Sequence, residues 1–464
     1  MTAPRPALPE KRPAPADADE PRPGRGPAPA HGPAPAHGPA PAHGPAPGDG
    51  PAPGDGPAPG DGPAPEDRPG APPRPGARPP GDSPAPEHHP HPTARALRLW
   101  YGRVLLVLVA AWLLYAVVRW LLSGRWHWAI PLDAAPPLFL VAVPALLLLA
   151  TAAACGRRRT WAAGAALAAL LLGLTTGSGL NWPALWRGER PVPPGALHIV
   201  SLNTQYWGQT AGTDKLYALL HRQKADVYLL QEHIGWTAGR GEKGYFRLDD
   251  DARLRAEFPD HHIARRGELL TLSRFPIVAR PPVGPGADLA ADAPFERVFL
   301  RDKVMRTDLR VGERILSVYN VHITVQLALD LDPFSGFDFD AYFRRKFAWR
   351  QEEFRGLERD LADNPHPVLV SGDFNSTASM RELARLRDRA DDAIRANTDF
   401  LPLSWKFPAR ADFEGNAALH RSYPLWRLDW TFTEGPVQVH RYDFRPTDGI
   451  SEHRMQDLWL SLKH

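Results

Sequence analysis

The residues equipped for chemistry stand where apolar runs end. Asn203 follows Ile-Val-Ser-Leu, Glu232 follows Val-Tyr-Leu-Leu-Gln, and His322 follows Leu-Ser-Val-Tyr-Asn-Val. Asp373 and Asn375 follow Val-Leu-Val-Ser-Gly, Asp429 sits in Trp-Arg-Leu-Asp-Trp, and Glu452 and His453 sit in Ser-Glu-His-Arg. Functional groups concentrate where rigid strands hand over to loops. Together these residues offer carboxylates, side-chain amides and two imidazoles. A single cysteine, Cys155, excludes a disulfide framework and a thiolate zinc cluster. An oxygen-rich set of this kind suits a hard cation, Mg²⁺ or Mn²⁺, over zinc.

The elements that must position these groups are short strands and a few helices. Strands are expected at Leu197–Asn203, 226–230, Leu269–Ser273, Val304–Val311, 315–322, 368–371, 428–432 and 437–442, with helices around 215–223 and 343–361. That alternation predicts a mixed α/β domain over about residues 195–464. No Gly-rich dinucleotide loop or Walker loop is present. Arg344, Arg345 and Arg350 read as a solvated helix face. The Phe-rich stretch 326–349 reads as a helix docking aromatic side chains on the core, against the alternative of a lid or membrane-facing lip. His261 and His262, after Pro259-Asp260, read as a loop.

Seven motifs in one order carry a resemblance. Val-Ser-Leu-Asn203, Leu-Leu-Gln-Glu232, Leu-Ser-Arg-Phe-Pro276, Asn-Val-His322, Gly-Asp373-Phe-Asn375, Arg-Leu-Asp429 and Ser-Glu-His453 resemble the endonuclease/exonuclease/phosphatase (DNase I-like) superfamily. The resemblance implies a four-layered α/β/β/α sandwich and metal-dependent phosphoester hydrolysis. It implies Glu232 as the principal metal carboxylate, with Asn203 and Glu452 beside it. Asp373 would orient or deprotonate the attacking water, Asn375 and His322 would donate to phosphoryl oxygens, and Asp429 would orient His453. The family usually has Asp where this chain has Glu452. The added methylene moves the carboxylate by roughly 1.5 Å, about one carbon–carbon bond.

Ahead of this domain the chain changes character twice. Residues 1–93 hold 31 of the 53 prolines and include three Gly-Pro-Ala-Pro-Ala-His and three Gly-Pro-Ala-Pro-Gly-Asp repeats. With so little apolar side chain, this tail is expected to be disordered with polyproline II character. Residues 97–186 carry three apolar runs, at about 104–122, 136–155 and 161–180, each of spanning length. Eight of the 15 tryptophans fall between Trp100 and Trp186, seven of them at or beyond run ends, as an interfacial belt requires. Three transmembrane helices are therefore expected. Cys155 is expected to be a small buried hydrophobe, and Arg119, one turn from the end of its run, to snorkel outward.

Arg157, Arg158 and Arg159 lie between the second and third runs, and Arg95, Arg98 and Arg103 precede the first. The positive-inside rule puts both segments, and the tail, in the cytoplasm and the catalytic domain outside. The net charge of +3 gives no polyanion-binding character. The Ala/Arg/Pro-rich composition and the three runs are similar to an actinobacterial membrane subgroup of the superfamily that includes VanJ-type glycopeptide-resistance proteins. The leading expectation is a multi-pass membrane enzyme that hydrolyses a cell-envelope lipid phosphate, with the bilayer as its other partner and no obligate protein partner. The alternatives are an outward-facing nuclease, for which the chain offers no basic stripe, and a catalytically inactive binding module.

Overall fold

The computed structural model describes residues 92–209, 211–237, 244–290, 292–327, 337–406 and 424–463. The expected disordered tail thus lies almost wholly outside the described residues. Two six-stranded sheets form the body of the chain. The first runs β13 (Val437–Arg445), β14 (Met455–Leu462), β1 (Leu197–Asn203), β2 (Val227–Gln231), β6 (Leu269–Ser273), β5 (His262–Arg266). The second runs β11 (Asp391–Asp392), β12 (Asp429–Glu434), β10 (Val368–Asp373), β9 (Arg314–His322), β8 (Val304–Val311), β7 (Ile277–Ala279). A separate hairpin pairs β3 (Ile234–Trp236) with β4 (Tyr245–Arg247).

Three apolar cores stack these elements into four layers. Leu197, Ile199, Val227, Leu316, Val318, Leu369 and Leu458 fill the space between the sheets. Helices Thr213–Gln223 and Asp251–Glu257 cover the first sheet through Leu216, Leu220, Leu254 and Phe258. Helices Phe339–Asp363 and Glu382–Arg389 cover the second through Phe354, Leu357, Leu361, Leu383 and Leu386. β1, β2 and β10 are buried along their whole length because both faces are covered. This is why β2 and the start of β10 read in sequence as continuous apolar runs. His262, expected in a loop, instead opens the edge strand β5.

The helix Phe339–Asp363 departs from expectation in two ways. Arg350 is fully buried, not solvated. Its guanidinium pairs with Glu382 (3.0 Å) and donates to the Thr324 carbonyl (2.6 Å) and to Ser376 Oγ (2.5 Å). Tyr342 and Phe343 pack on Ile130, outside the cores of the two sheets, so the aromatic end of the helix serves as a docking surface for the preceding region.

In that region one helix, Pro92–Leu122, contains a stretch long and apolar enough to cross a membrane. The second expected run forms a 12-residue helix, Phe139–Ala150, with Pro144 inside it and a 3₁₀ turn after it. The third forms Gly156–Thr176, whose first turn carries the three arginines and lowers its hydropathy. Cys155 is exposed, since it precedes the first turn of that helix and faces away from the packed interior. Arg119 does not snorkel. It is 2% exposed, held 3.3 Å from Asp133 Oδ1 and 2.9 Å from the Ser379 carbonyl.

Candidate active site

Strand register gathers the site. In the second sheet Asp373 pairs directly with His322 on one side and with Asp429 on the other. In the first sheet Asn203 pairs with Gln231, so Glu232 emerges one residue beyond. The two sheets end at the same level, and Asn203 bridges them. Its Nδ2 donates to Glu232 Oε1 (2.9 Å) and to Asp373 Oδ2 (3.0 Å). A buried polar layer beneath locks this alignment. Gln231 donates to Asn320 Oδ1 (2.7 Å), and Thr431 and Tyr442 both donate to Gln456 Oε1 (2.8 and 2.6 Å). Such groups bond in only one relative placement of the sheets, because a buried unpaired polar atom is costly.

The backbone is unusual at the site. Glu232 (φ 56°) and Asn375 (φ 46°) adopt left-handed conformations, as do Gln205, Tyr206 and Trp207 in succession. Strain of this kind clusters where surrounding structure holds functional groups in place. The left-handed turn cradles the carboxylate. Tyr206 N–H donates to Glu232 Oε2 (3.0 Å), and Gln205 N–H donates to Asn203 Oδ1 (3.0 Å). Asn375 N–H donates to Asp373 Oδ1 (2.8 Å), and its Nδ2 donates to the Ile323 carbonyl (2.9 Å). At Gly372 any Cβ would lie 1.9 Å from the Val321 carbonyl oxygen, so only glycine brings β10 this close to β9.

Each imidazole is backed by a carboxylate and faces Asp373. His453 Nδ1 lies 2.9 Å from Asp429 Oδ2, and its Nε2 lies 3.6 Å from Asp373 Oδ2. His322 Nδ1 lies 3.1 Å from Glu268 Oε1, and its Nε2 lies 3.6 Å from Asp373 Oδ2 and 3.9 Å from Glu232 Oε1. Burial alone would push both imidazoles toward the neutral form. Asp429 and Asp373 outweigh it at His453, raising its pKa to about 10. Glu268 and Asp373 do the same at His322, raising it to about 9. Burial acts against the Glu268 carboxylate too, but His322 and Lys303 bring it down to about 2. Glu232 is pushed upward, mainly by burial, with His322 opposing.

A profile of the Endonuclease/Exonuclease/phosphatase family matches residues 200–453, more than half of the chain. The chain belongs to this family. Endonuclease/exonuclease/phosphatase proteins hydrolyse phosphoester bonds, as nucleases or phosphatases, and commonly use divalent metal ions. Among solved structures, a family protein from Bacteroides thetaiotaomicron is similar at 14% identity and a TM-score of 0.40. That match covers 59% of this chain and 100% of the other. One from Leptotrichia buccalis is similar at 12% identity and a TM-score of 0.37, covering 57% and 100%. A 3′ phosphatase from Neisseria, solved with a product DNA hairpin, is similar at 15% identity and a TM-score of 0.38, covering 58% and 100%. No curated protein sequence matches the chain.

The donor set fits the hard cation this family commonly uses. Asp373, Asp429 and His453 bring one ligand atom each within 4.8 Å of one another, and Asp429 Oδ1 is buried without a hydrogen-bond partner among the described residues. Asp429 Oδ2 and His453 Nδ1 engage each other, and the oxygens of Glu232 and Asp373, next to Asn203, each accept one hydrogen bond and keep a second lone pair. Glu452 lies at the rim, half-buried, its N–H donating to Gln205 Oε1 (3.0 Å) on the turn that cradles Glu232.

Sequence reasoning passed over two members of the site. Glu268 is 1% exposed and pairs with both His322 and Lys303. Its only signal is a charged residue abutting the apolar run of β6. Ser404 donates to Asp429 Oδ2 (2.6 Å) and accepts from the N–H of Asp429 (3.1 Å), and nothing in its neighbourhood marks it. Arg427, the residue nearest Asp429 in sequence able to pair with it, pairs with Asp392 instead (2.7 Å), which leaves the Asp429 carboxylate to His453.

Proposed function

We propose that this chain is a membrane-anchored, metal-dependent phosphoester hydrolase with an extracytoplasmic catalytic domain, acting on a lipid-linked phosphate of the cell envelope. The observation that carries the hydrolytic reading is the pair of carboxylate-backed imidazoles, one at the end of β9 and one just ahead of β14, each 3.6 Å from Asp373 Oδ2. Asp373 is pinned by Asn203 and by the Asn375 N–H, so its lone pairs are fixed in direction for an attacking water. His453 and His322 present N–H donors for the phosphoryl oxygens and the departing oxygen, where negative charge grows. The second amide proton of Asn375 Nδ2 is a further donor at the same edge. Glu232, Asn203 and Asp373 would hold a divalent cation, with Glu452 beyond them. That ion, when bound, neutralises charge on the phosphoryl group.

The membrane assignment is supported by where apolar surface is left uncovered. Among the described residues most exposed large hydrophobics belong to residues 97–186, with Val107 at 66%, Leu149 at 72% and Trp161 at 62%. Their helices bury only small or inward side chains such as Val109, Ala162 and Ala166 against one another. An outward apolar surface of that extent suits lipid better than water. All three segments then lie in the bilayer, and Arg157, Arg158 and Arg159 set the orientation. The test is a substrate panel given to the full chain in lipid nanodiscs with Mg²⁺: plasmid DNA, sphingomyelin, inositol phosphates and polyprenyl phosphates. Turnover of a lipid phosphate is expected. Cleavage of DNA alone would replace the lipid reading with a nuclease.

A further inference from the structure

We propose that Arg119 is a positioning residue for hydrolysis, holding from within the first apolar helix the loop that carries Asn375. This rests on the phosphoester reading of the site. Residues 374–381 leave the end of β10 and run directly to the helices of residues 97–186. On the catalytic side the loop is fixed at Ser376, whose carbonyl accepts from Trp430 Nε1 (2.8 Å) and whose Oγ accepts from Arg350 (2.5 Å). Three residues on, it is fixed from the other side. Arg119 Nη1 donates to the Ser379 carbonyl (2.9 Å), and Arg381 N–H donates to Ser123 Oγ (3.3 Å). Ser123 in turn donates to Asp133 Oδ2 (2.8 Å), and Asp133 Oδ1 takes Arg119 (3.3 Å). The contact is close. A Cβ on Gly177 would lie 2.3 Å from Ser379 Cα.

Two features make this more than a docking contact. Arg119 is 2% exposed and Asp133 4% exposed. A buried ion pair is seldom more stabilising than apolar side chains of the same size, so stability alone does not account for it. What it does supply is direction, because the guanidinium is aimed at one backbone carbonyl, four residues from Asn375. Asn375 itself is in a left-handed conformation that persists only where its surroundings over-determine it. The membrane segment is then a structural part of the active site, with Arg119 acting through the loop and touching no substrate.

The test uses the full chain in nanodiscs with Mg²⁺ and bis(p-nitrophenyl) phosphate. Three variants are compared: Arg119→Met, Arg119→Lys, and Arg119→Met combined with Asp133→Asn, which removes both charges and retains volume. The double variant is expected to melt near the native temperature with KM within about twofold. Its kcat is expected to fall roughly 10- to 100-fold, the scale of a small misplacement of a catalytic group. Arg119→Lys should recover part of kcat, because an ammonium still donates to the Ser379 carbonyl. Hydrogen exchange should quicken in residues 374–382 and not in β1. Native kcat in the double variant would overturn the proposal. Asp373→Asn in the same assay separates the two ideas: if it equals the native chain, the phosphoester reading fails, and unchanged exchange at 374–382 would then overturn the loop coupling by itself.

Discussion

Asp373 is held at four points, by Asn203, by the Asn375 N–H and by two imidazoles facing the same oxygen. The charge state of those imidazoles is set by Asp429 and Glu268, which gives a pH consequence. His322 must keep its proton to donate, so activity falls as pH rises through its pKa of about 9. Glu268→Gln removes the largest influence raising that value and leaves burial to dominate. The alkaline limb of kcat/KM is then expected to move down by about one unit or more, following the usual size of a carboxylate's effect on a neighbouring base. A limb that stays in place would remove His322 from the role of donor. Seven of the eight candidate residues, Asn203, Glu232, His322, Asp373, Asn375, Asp429 and His453, contact one another directly, and their legibility came from position, each at or just beside a strand end. Glu268 and Ser404 were illegible because a buried partner carboxylate or hydroxyl looks like any other polar residue near a strand.

At the scale of elements, β1, β6 and β8 lie where the sequence placed them: β6 is covered on both faces and reads as an apolar run, whereas β8 carries Arg306 and Asp308, which pair with each other inside the fold (2.8 Å). β14 was invisible although it lies inside its sheet. Gln456 belongs to the buried polar layer and Asp457 pairs with His198 (2.6 Å), so both break the apolar pattern from inside the fold. β5, β7 and β11 were missed for a different reason: they are edge or near-edge strands, short or charged. The close approach of β10 to β9 rests on one residue. Gly372→Ala forces a Cβ into the Val321 carbonyl, and overpacking of that severity should lower the melting temperature by roughly 5–15 °C. A melting temperature within about 2 °C of the native value would show that the strands separate freely there.

For the whole molecule, residues 97–186 and the two-sheet domain share buried contacts. Asn181 Nδ2 donates to the carbonyls of Ile394, Asn397 and Asp399, and Trp426 Nε1 donates to the Ala134 carbonyl (3.1 Å). None of this was legible in the sequence, where Arg119 reads as a charge that snorkels outward. The hydropathy pattern also overstated regularity, since Pro144 and the arginines of the third helix leave one helix of full length and apolarity. Topology is open to direct test. Protease added to intact spheroplasts should remove the catalytic domain and spare the N-terminal tail, as the arginines between the second and third segments require. A protected catalytic domain would reverse the orientation.

The central claim is that these gathered side chains hydrolyse a phosphoester with a divalent cation held at Glu232. Its most direct test is the rate of phosphodiester hydrolysis by the full chain, stripped with EDTA and then titrated with Mg²⁺ or Mn²⁺, for the native chain and for Glu232→Gln. Turnover is expected to vanish in EDTA and return with metal. Glu232→Gln should need a higher metal concentration to reach its own, lower maximum, having lost a charged oxygen donor. Undiminished turnover in EDTA, or one metal dependence shared by both proteins, would contradict the account.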